Sequence, residues 1–300
     1  MSENTSSPLV KKPSTAQQED FFKGWAKPGP KVPGFSAFKE GEAALLETET
    51  LDAISGHYRL FQLRDGHRFS TDDLLAAWYG TTWAPCARGV LDLGSGIGSV
   101  GMVAAWRLQG AKFVTVEAQD ESISLARKSA KYNGLEHRYE IRHGDLRDSK
   151  ILAAHERFDL ILGSPPYFPL DAGILGDHPQ KVACRFEVRG TVADYCQTAS
   201  RHLELGGVFA CVFPLNPEGQ LQRVKVGARE AGLTLVRLRP IVLREGDLPL
   251  IGVFLMIKSE HLPESFRNQT WEEPALVIRT REGKIHPEYS AVKLSFGFGP

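Results

Sequence analysis

The chain has 300 residues, 42% of them hydrophobic, and its 36 basic residues balance 36 acidic ones. That length buries roughly three quarters of the unfolded surface, and neutrality leaves no global field for a polyanion, so any such site must be a local patch. Cys86, Cys184, Cys196 and Cys211 form no C-x-x-C pair, no apolar run reaches membrane-spanning length, and the polar N-terminus is not a secretory signal. The expectation is a cytoplasmic protein with reduced thiols, without a disulfide frame, zinc site or membrane span.

Met1 to Gly34 is dominated by Ser, Thr, Pro, Gly and Lys, so residues 1–45 read as a flexible tail and 46–300 as the folded domain. Phe21, Phe22 and Trp25 sit among Lys23, Lys27 and Lys31; an extension that packs a few aromatics on the body is preferred to an RNA-stacking arm. Leu51–Leu63 alternates as a hairpin around Ser55-Gly56. Thr71 or Asp72 can cap a helix over Leu74–Trp78. Strands follow at Val90–Leu93, Phe113–Glu117, Tyr139–Arg142, Phe158–Leu162 and Val208–Phe213. Helices are expected at Val100–Leu108, Ser122–Tyr132, Thr191–Leu203 (closed by Gly206-Gly207) and Leu221–Ala231. Two last strands, Leu233–Leu243 and Ile251–Ile257, are joined by a short turn. Alternating helix and strand argue an α/β, doubly wound, mostly parallel sheet with an antiparallel edge.

Asp92-Leu93-Gly94-Ser95-Gly96-Ile97-Gly98 follows the first strand of this series. Glycines there let backbone approach a ligand at a helix N-terminus. Glu117 ends the next strand about twenty residues on, where a carboxylate accepts from ribose hydroxyls. Gly96, Gly98 and Gly101 also satisfy G-x-G-x-x-G, the mark of a nicotinamide dehydrogenase. The register opposes it: counted from Gly94, the third glycine position holds Ser99. Asp92 suits an ammonium or ordered water better than a phosphate. Asp145 can accept from an adenine amino group, and Leu146 can cover its ring. Glu117, Asp145 and Ser164 each stand at a strand's C-terminal end.

Gly163-Ser164-Pro165-Pro166-Tyr167-Phe168 follows the Phe158–Leu162 strand. Two prolines fix φ and remove two N–H donors. A stiff loop remains, offering carbonyl oxygens, one hydroxyl and one ring: an acceptor-rich slot for a planar –NH2 group. Ser164 and the Pro165 carbonyl, with Pro166 and Tyr167, are the candidate catalytic set.

These motifs, with Gln62, Arg68-Phe69-Ser70-Thr71-Asp72, Pro179-Gln180, Arg185-Phe186-Glu187, Leu276-Val277-Ile278-Arg279 and Glu288-Tyr289-Ser290, resemble the class I S-adenosylmethionine-dependent methyltransferases. More narrowly, the chain is similar to the bacterial valine-tRNA adenine-N6 methyltransferases, which modify the adenine beside the anticodon. The resemblance runs from about Thr50 to Leu294. It implies a seven-stranded Rossmann-like sheet, S-adenosylmethionine as cofactor and the tRNA anticodon stem-loop as partner; the nine histidines show no metal-ligand spacing, and the oligomeric state stays open, with a monomer preferred. It also implies cofactor binding by Asp72, Asp92, Gly94, Gly96, Gly98, Glu117, Asp145, Leu146 and Ser164. The family usually carries Asn where Ser164 stands, and Ser there resembles enzymes that methylate cytosine N4, so a different planar amine, including protein glutamine, stays an alternative. A non-catalytic RNA-binding relative is a third reading, opposed by the intact Asp92, Gly94, Gly96, Glu117 and Pro165-Pro166-Tyr167.

Arg223, Lys225, Arg229, Arg237, Arg239 and Arg244 face only Glu230 in their stretch. They make either a phosphate-binding face or a solvated one, with Arg237 and Arg239 as candidate RNA contacts. Lys128, Lys131, Arg138, Arg142 and Arg147 read as a solvated face. Arg185 is a candidate substrate contact, or else pins its loop by pairing with Glu187.

Overall fold

The computed structural model describes residues 20–22, 25–42, 44–169, 178–216 and 219–299. Lys23 and most of the expected tail lie outside these, as do the side chains of Phe21 and Phe22. Two small hairpins come first, β1 (Phe21–Phe22) with β2 (Trp25–Ala26) and β3 (Glu49–Ser55) with β4 (Tyr58–Leu63). The central series runs α1 (Thr71–Trp83), β5 (Gly89–Leu93), α2 (Ser99–Arg107), β6 (Lys112–Glu117), α3 (Asp120–Tyr132), β7 (Tyr139–His143) and β8 (Phe158–Gly163). Then follow α4 (Pro179–Arg185), α5 (Val192–His202), β9 (Leu203–Pro214), α6 (Gln220–Glu230), β10 (Leu233–Arg244) and β11 (Ile251–Lys258). The chain closes with β12 (Trp271–Glu272), β13 (Leu276–Arg279) and α7 (Pro287–Leu294).

The main sheet has nine strands in the order β12-β10-β11-β9-β8-β5-β6-β7, with β13 also paired to β10. Seven strands were expected; the two extra are the short β12 and β13, both parallel to β10. Among the described strands of this sheet, only β11 runs against its neighbours, β9 and β10. Chain order reverses at β5, which lies between β8 and β6. In open α/β sheets such a switch point opens a crevice beyond the carboxyl ends of the strands.

Strand side chains alternate between two cores, as period 2 requires. Leu160 and Leu162 enter one with α1, α2, α3 and α7, while Ile161 enters the other with α5 and α6. In β9, Ala210 and Val212 face the first core, and Phe209, Cys211 and Phe213 the second. Each fully buried Leu, Ile or Phe contributes about 1.5–3 kcal/mol. The β3–β4 hairpin is stitched to α3: the Phe61 N–H donates to Ser129 Oγ and the Arg59 N–H to Asn133 Oδ1, both at 2.9 Å. Ahead of it, Phe35 packs edge-on against Tyr132 with ring centres 5.2 Å apart.

Two local expectations change. The α1 cap is Ser70, with Asp73 closing a capping box, and not Thr71 or Asp72. Helix α5 ends at His202, and Gly206-Gly207 lie inside β9. Gly207 is needed there because a Cβ would meet the Phe158 carbonyl oxygen at 2.8 Å.

Candidate active site

The carboxyl ends of β5 and β8 meet in register, Leu93 opposite Gly163. The glycine turn and the Ser164–Tyr167 loop therefore leave the sheet side by side, and both line one cleft. Asp72, Gly94, Gly96, Glu117, Asp145, Leu146, Ser164, Pro165, Pro166 and Tyr167 all reach it. Asp92 and Gly98 do not line it, and neither do Arg185, Arg237 and Arg239.

Packing explains the glycines. Gly94 has φ +59°, and a Cβ on it would stand 1.9 Å from Tyr195 Oη. Gly96 has φ +53°, but its Cβ would meet nothing within 4 Å: the turn is tight on one side and open on the cleft side. Gly98, at φ 85°, is the N-cap of α2. Asp92 sits behind the turn, 1% exposed, where its Oδ2 accepts the Gly101 N–H at 2.9 Å. A Cβ on Gly101 would press on that same oxygen and on Tyr139 Oη. The third glycine of the apparent G-x-G-x-x-G thus serves the β5–α2 contact.

Glu117 is held by backbone. Its Oε2 accepts from the Gly96 N–H at 2.8 Å, and its Oε1 from the Ala118 and Gln119 N–H groups at 2.8 and 2.7 Å. A carboxylate has about four acceptor sites, so capacity remains for a hydroxyl donor. Asp145 is engaged by Arg147, whose Nη2 lies 2.6 Å from its Oδ2. That contact competes with the expected adenine amino group.

The Ser-Pro-Pro-Tyr loop is clamped on several sides. Pro165 and Pro166 are buried. The Tyr167 and Phe168 N–H groups both donate to the Arg185 carbonyl at 3.0 Å. Tyr167 Oη donates to Asp72 Oδ2 at 2.7 Å, and its ring stands edge-on to Phe213, centres 5.8 Å apart. Burial, then the Asp72 charge, pushes the Tyr167 phenol up. Gln180 ties the wall together, its Oε1 accepting the His67 N–H at 2.9 Å and its Nε2 donating to Ser122 Oγ at 3.1 Å.

Among the cleft residues absent from the expected set, three carry polar or charged groups of interest. Asp73 belongs to the Ser70-x-x-Asp73 capping box, a signal visible in sequence. Ser95 Oγ is buried and has no hydrogen-bond partner among the described residues. Arg189 enters from the turn after α4, with no local pattern to mark it. Of the basic stretches, Glu187 pairs with Arg223 and not with Arg185. Arg237 pairs with Glu273 and stacks over Trp83 at 3.7 Å; Arg239 pairs with Glu288. In the second group, Lys128, Lys131, Arg142 and Arg147 each hold a carboxylate, and Arg138 donates to the Ala105, Leu108 and Ala111 carbonyls.

The site is acidic. Burial pushes the Asp73 carboxyl up to about 7 and the Asp92 carboxyl up to about 8; Asp72 is raised for the same reason. Unfolded Asp titrates near ~3.9, so the native state keeps protons that the unfolded chain releases. Stability from this source is full below about pH 4 and is lost as pH rises through 7 to 8. Asp92→Asn keeps an acceptor for the Gly101 N–H and removes one titration. Its urea midpoint should gain on the wild type between pH 5 and pH 9; a pH-independent difference would exclude Asp92 as the source.

The Methyltransferase small domain family matches residues 74–174. The tRNA1(Val) (adenine(37)-N6)-methyltransferase of Porphyromonas gingivalis is 34% identical over 227 residues, 74% of this chain and 85% of the relative. The chain belongs to that methyltransferase family. The relative of the same description from Shewanella sp. (strain MR-4) is 25% identical over 75% of this chain and 90% of its own length. In fold, the crystal structure of a predicted O-methyltransferase from Agrobacterium tumefaciens superposes with a TM-score of 0.55 at 18% identity, covering 76% of this chain and 98% of that one. The protein is an S-adenosylmethionine-dependent methyltransferase.

The cleft of the methyltransferase fits that donor. Asp72, Asp73 and Glu117 present carboxyl groups to it, which repel a pyrophosphate and attract a sulfonium and an ammonium. The open side of Gly96 and the Ser95 Oγ, unpartnered among the described residues, offer a close backbone approach and a polar contact. Among the described residues no cluster of His, Cys, Asp and Glu could hold a metal ion, and no helix is long and apolar enough to cross a membrane.

Proposed function

We propose that the enzyme methylates N6 of an unpaired adenine in a tRNA anticodon loop. One observation carries the reading: the glycine turn and Ser164–Tyr167 share one cleft because Leu93 and Gly163 are in register. S-adenosylmethionine supplies an electrophilic methyl group. Asp72 and Ser95 are suited to its amino-acid end, Glu117 to the ribose, and Leu146 to the adenine ring, whose amino group reaches Asp145 only by displacing Arg147. Ser164 Oγ and the Pro165 carbonyl accept the two N–H groups of the target amine, drawing its nitrogen toward tetrahedral geometry and localising its lone pair. Tyr167 offers a ring for stacking, worth about 1–3 kcal/mol. The alkylated nitrogen is acidic enough to lose its proton to water, so positioning and electrostatics do most of the catalysis. An unpaired loop base costs little to extrude, and the names of the relatives support tRNA as the carrier of that base.

Ser164 in the place of the family's Asn favours a second reading, another planar amine such as cytosine N4 or a glutamine side chain. Labelled methyl groups offered to bulk tRNA, protein and DNA separate the two. The expected product is N6-methyladenosine in tRNA; label confined to protein or to cytosine would overturn the adenine assignment.

A further inference from the structure

Helix α4 and the turn behind it form one wall of the cleft, through Ala183, Cys184 and Arg189. This stretch, Pro179 to Gly190, carries three cations, Lys181, Arg185 and Arg189, and one acid, Glu187. The acid is spent, since Glu187 is paired with Arg223. Among the described residues none of the three cations forms an ion pair. Arg185 and Arg189 are exposed and Lys181 half-exposed. The carboxylate facing Arg189 is Asp145, and Arg147 already holds it. Lys181 and Arg185 are four residues apart on a helix, so they share one face. Both charges reach the cleft residue His67, whose pKa is lowered first by burial and then by Arg185 and Lys181. The protein as a whole is neutral, so a local field of this kind is what a polyanion would meet.

We propose that Lys181, Arg185 and Arg189 form a cationic rim that grips the RNA backbone phosphates flanking the target nucleotide. This rests on the tRNA reading above. Base extrusion into the cleft brings the neighbouring phosphates to its edge, and three cations without carboxylate partners are there to receive them. Arg237 and Arg239 serve this less well, because Glu273 and Glu288 already neutralise them.

The test is the salt dependence of binding to an anticodon stem-loop RNA. Each phosphate contact to single-stranded RNA contributes about −0.7 to the slope of log K against log salt. Replacing all three (Lys181→Gln, Arg185→Gln, Arg189→Gln) should make the slope shallower by about 2. Arg185→Gln alone should remove about 0.7 and provides the measurement if the triple variant does not fold. Arg185→Lys should keep the wild-type slope. A steep wild-type slope left unchanged by the glutamine variants overturns the rim and leaves the tRNA reading standing. A wild-type enzyme that binds no RNA and methylates protein overturns both.

Discussion

Ser164→Ala should lower kcat by about 10²-fold, the usual cost of deleting one hydrogen-bonding group aimed at charge that develops in the transition state. Affinity for S-adenosylhomocysteine should stay close to wild type. The split follows from placement. In the proposed arrangement the cofactor-side contacts are those of the glycine turn, Glu117 and Asp72, while Ser164 stands one residue beyond Gly163 on the neighbouring strand. The loop itself should not collapse: the Ser164 hydroxyl also hydrogen-bonds the Tyr167 phenol, but the buried Pro165 and Pro166 and the Tyr167 and Phe168 hydrogen bonds to the Arg185 carbonyl remain. Ser164→Asn restores an acceptor oxygen and should retain most of the turnover on adenine. Single-turnover kinetics with calorimetric cofactor binding reads both quantities; full methylation by the alanine variant would remove Ser164 from the chemistry.

The second large effect is on folding. Gly94→Ala places a methyl 1.9 Å from Tyr195 Oη and 2.9 Å from its Cζ, on backbone with φ +59°. The left-handed conformation alone costs about 1–2 kcal/mol. Tyr195 is 4% exposed and belongs to the α5–α6 core, so it cannot swing aside without opening that core. A total loss of about 3 kcal/mol or more is expected, read as a lowered urea midpoint. Adding Tyr195→Phe removes the closest atom and should recover part of the loss. Gly96→Ala is the contrast: with nothing within 4 Å of its Cβ, it should cost only the backbone term in stability, and its methyl should weaken cofactor binding by entering the cleft. Equal destabilisation by the two alanines would show that the Tyr195 contact is not what selects glycine at 94.

Much of the fold was legible because its signals are local. Apolar runs such as Val90–Leu93 and Phe158–Leu162 reveal strands whatever their neighbours, and glycine after a strand reveals a turn. Asp73 could have been found the same way, from the Ser70-x-x-Asp73 pattern. The fate of the charges was not legible. Arg185 and Glu187 are neighbours in sequence, yet Glu187 turns to Arg223, brought by α6. Arg237 and Arg239 look like a basic stripe until the residue after β12 and the first turn of α7 supply Glu273 and Glu288.

The sequence by itself determined the alternation of helix and strand, the glycine turn, and the stiff Ser-Pro-Pro-Tyr loop, because φ preference, periodicity and missing N–H groups belong to single residues and their immediate neighbours. Only the tertiary structure decided that Leu93 lies opposite Gly163, that Tyr167 Oη meets Asp72, and that three cations on α4 and its following turn form no ion pair among the described residues. Those outcomes depend on which distant segments pair across the sheet, and strand register is set by the packing of two cores that no local stretch of chain contains.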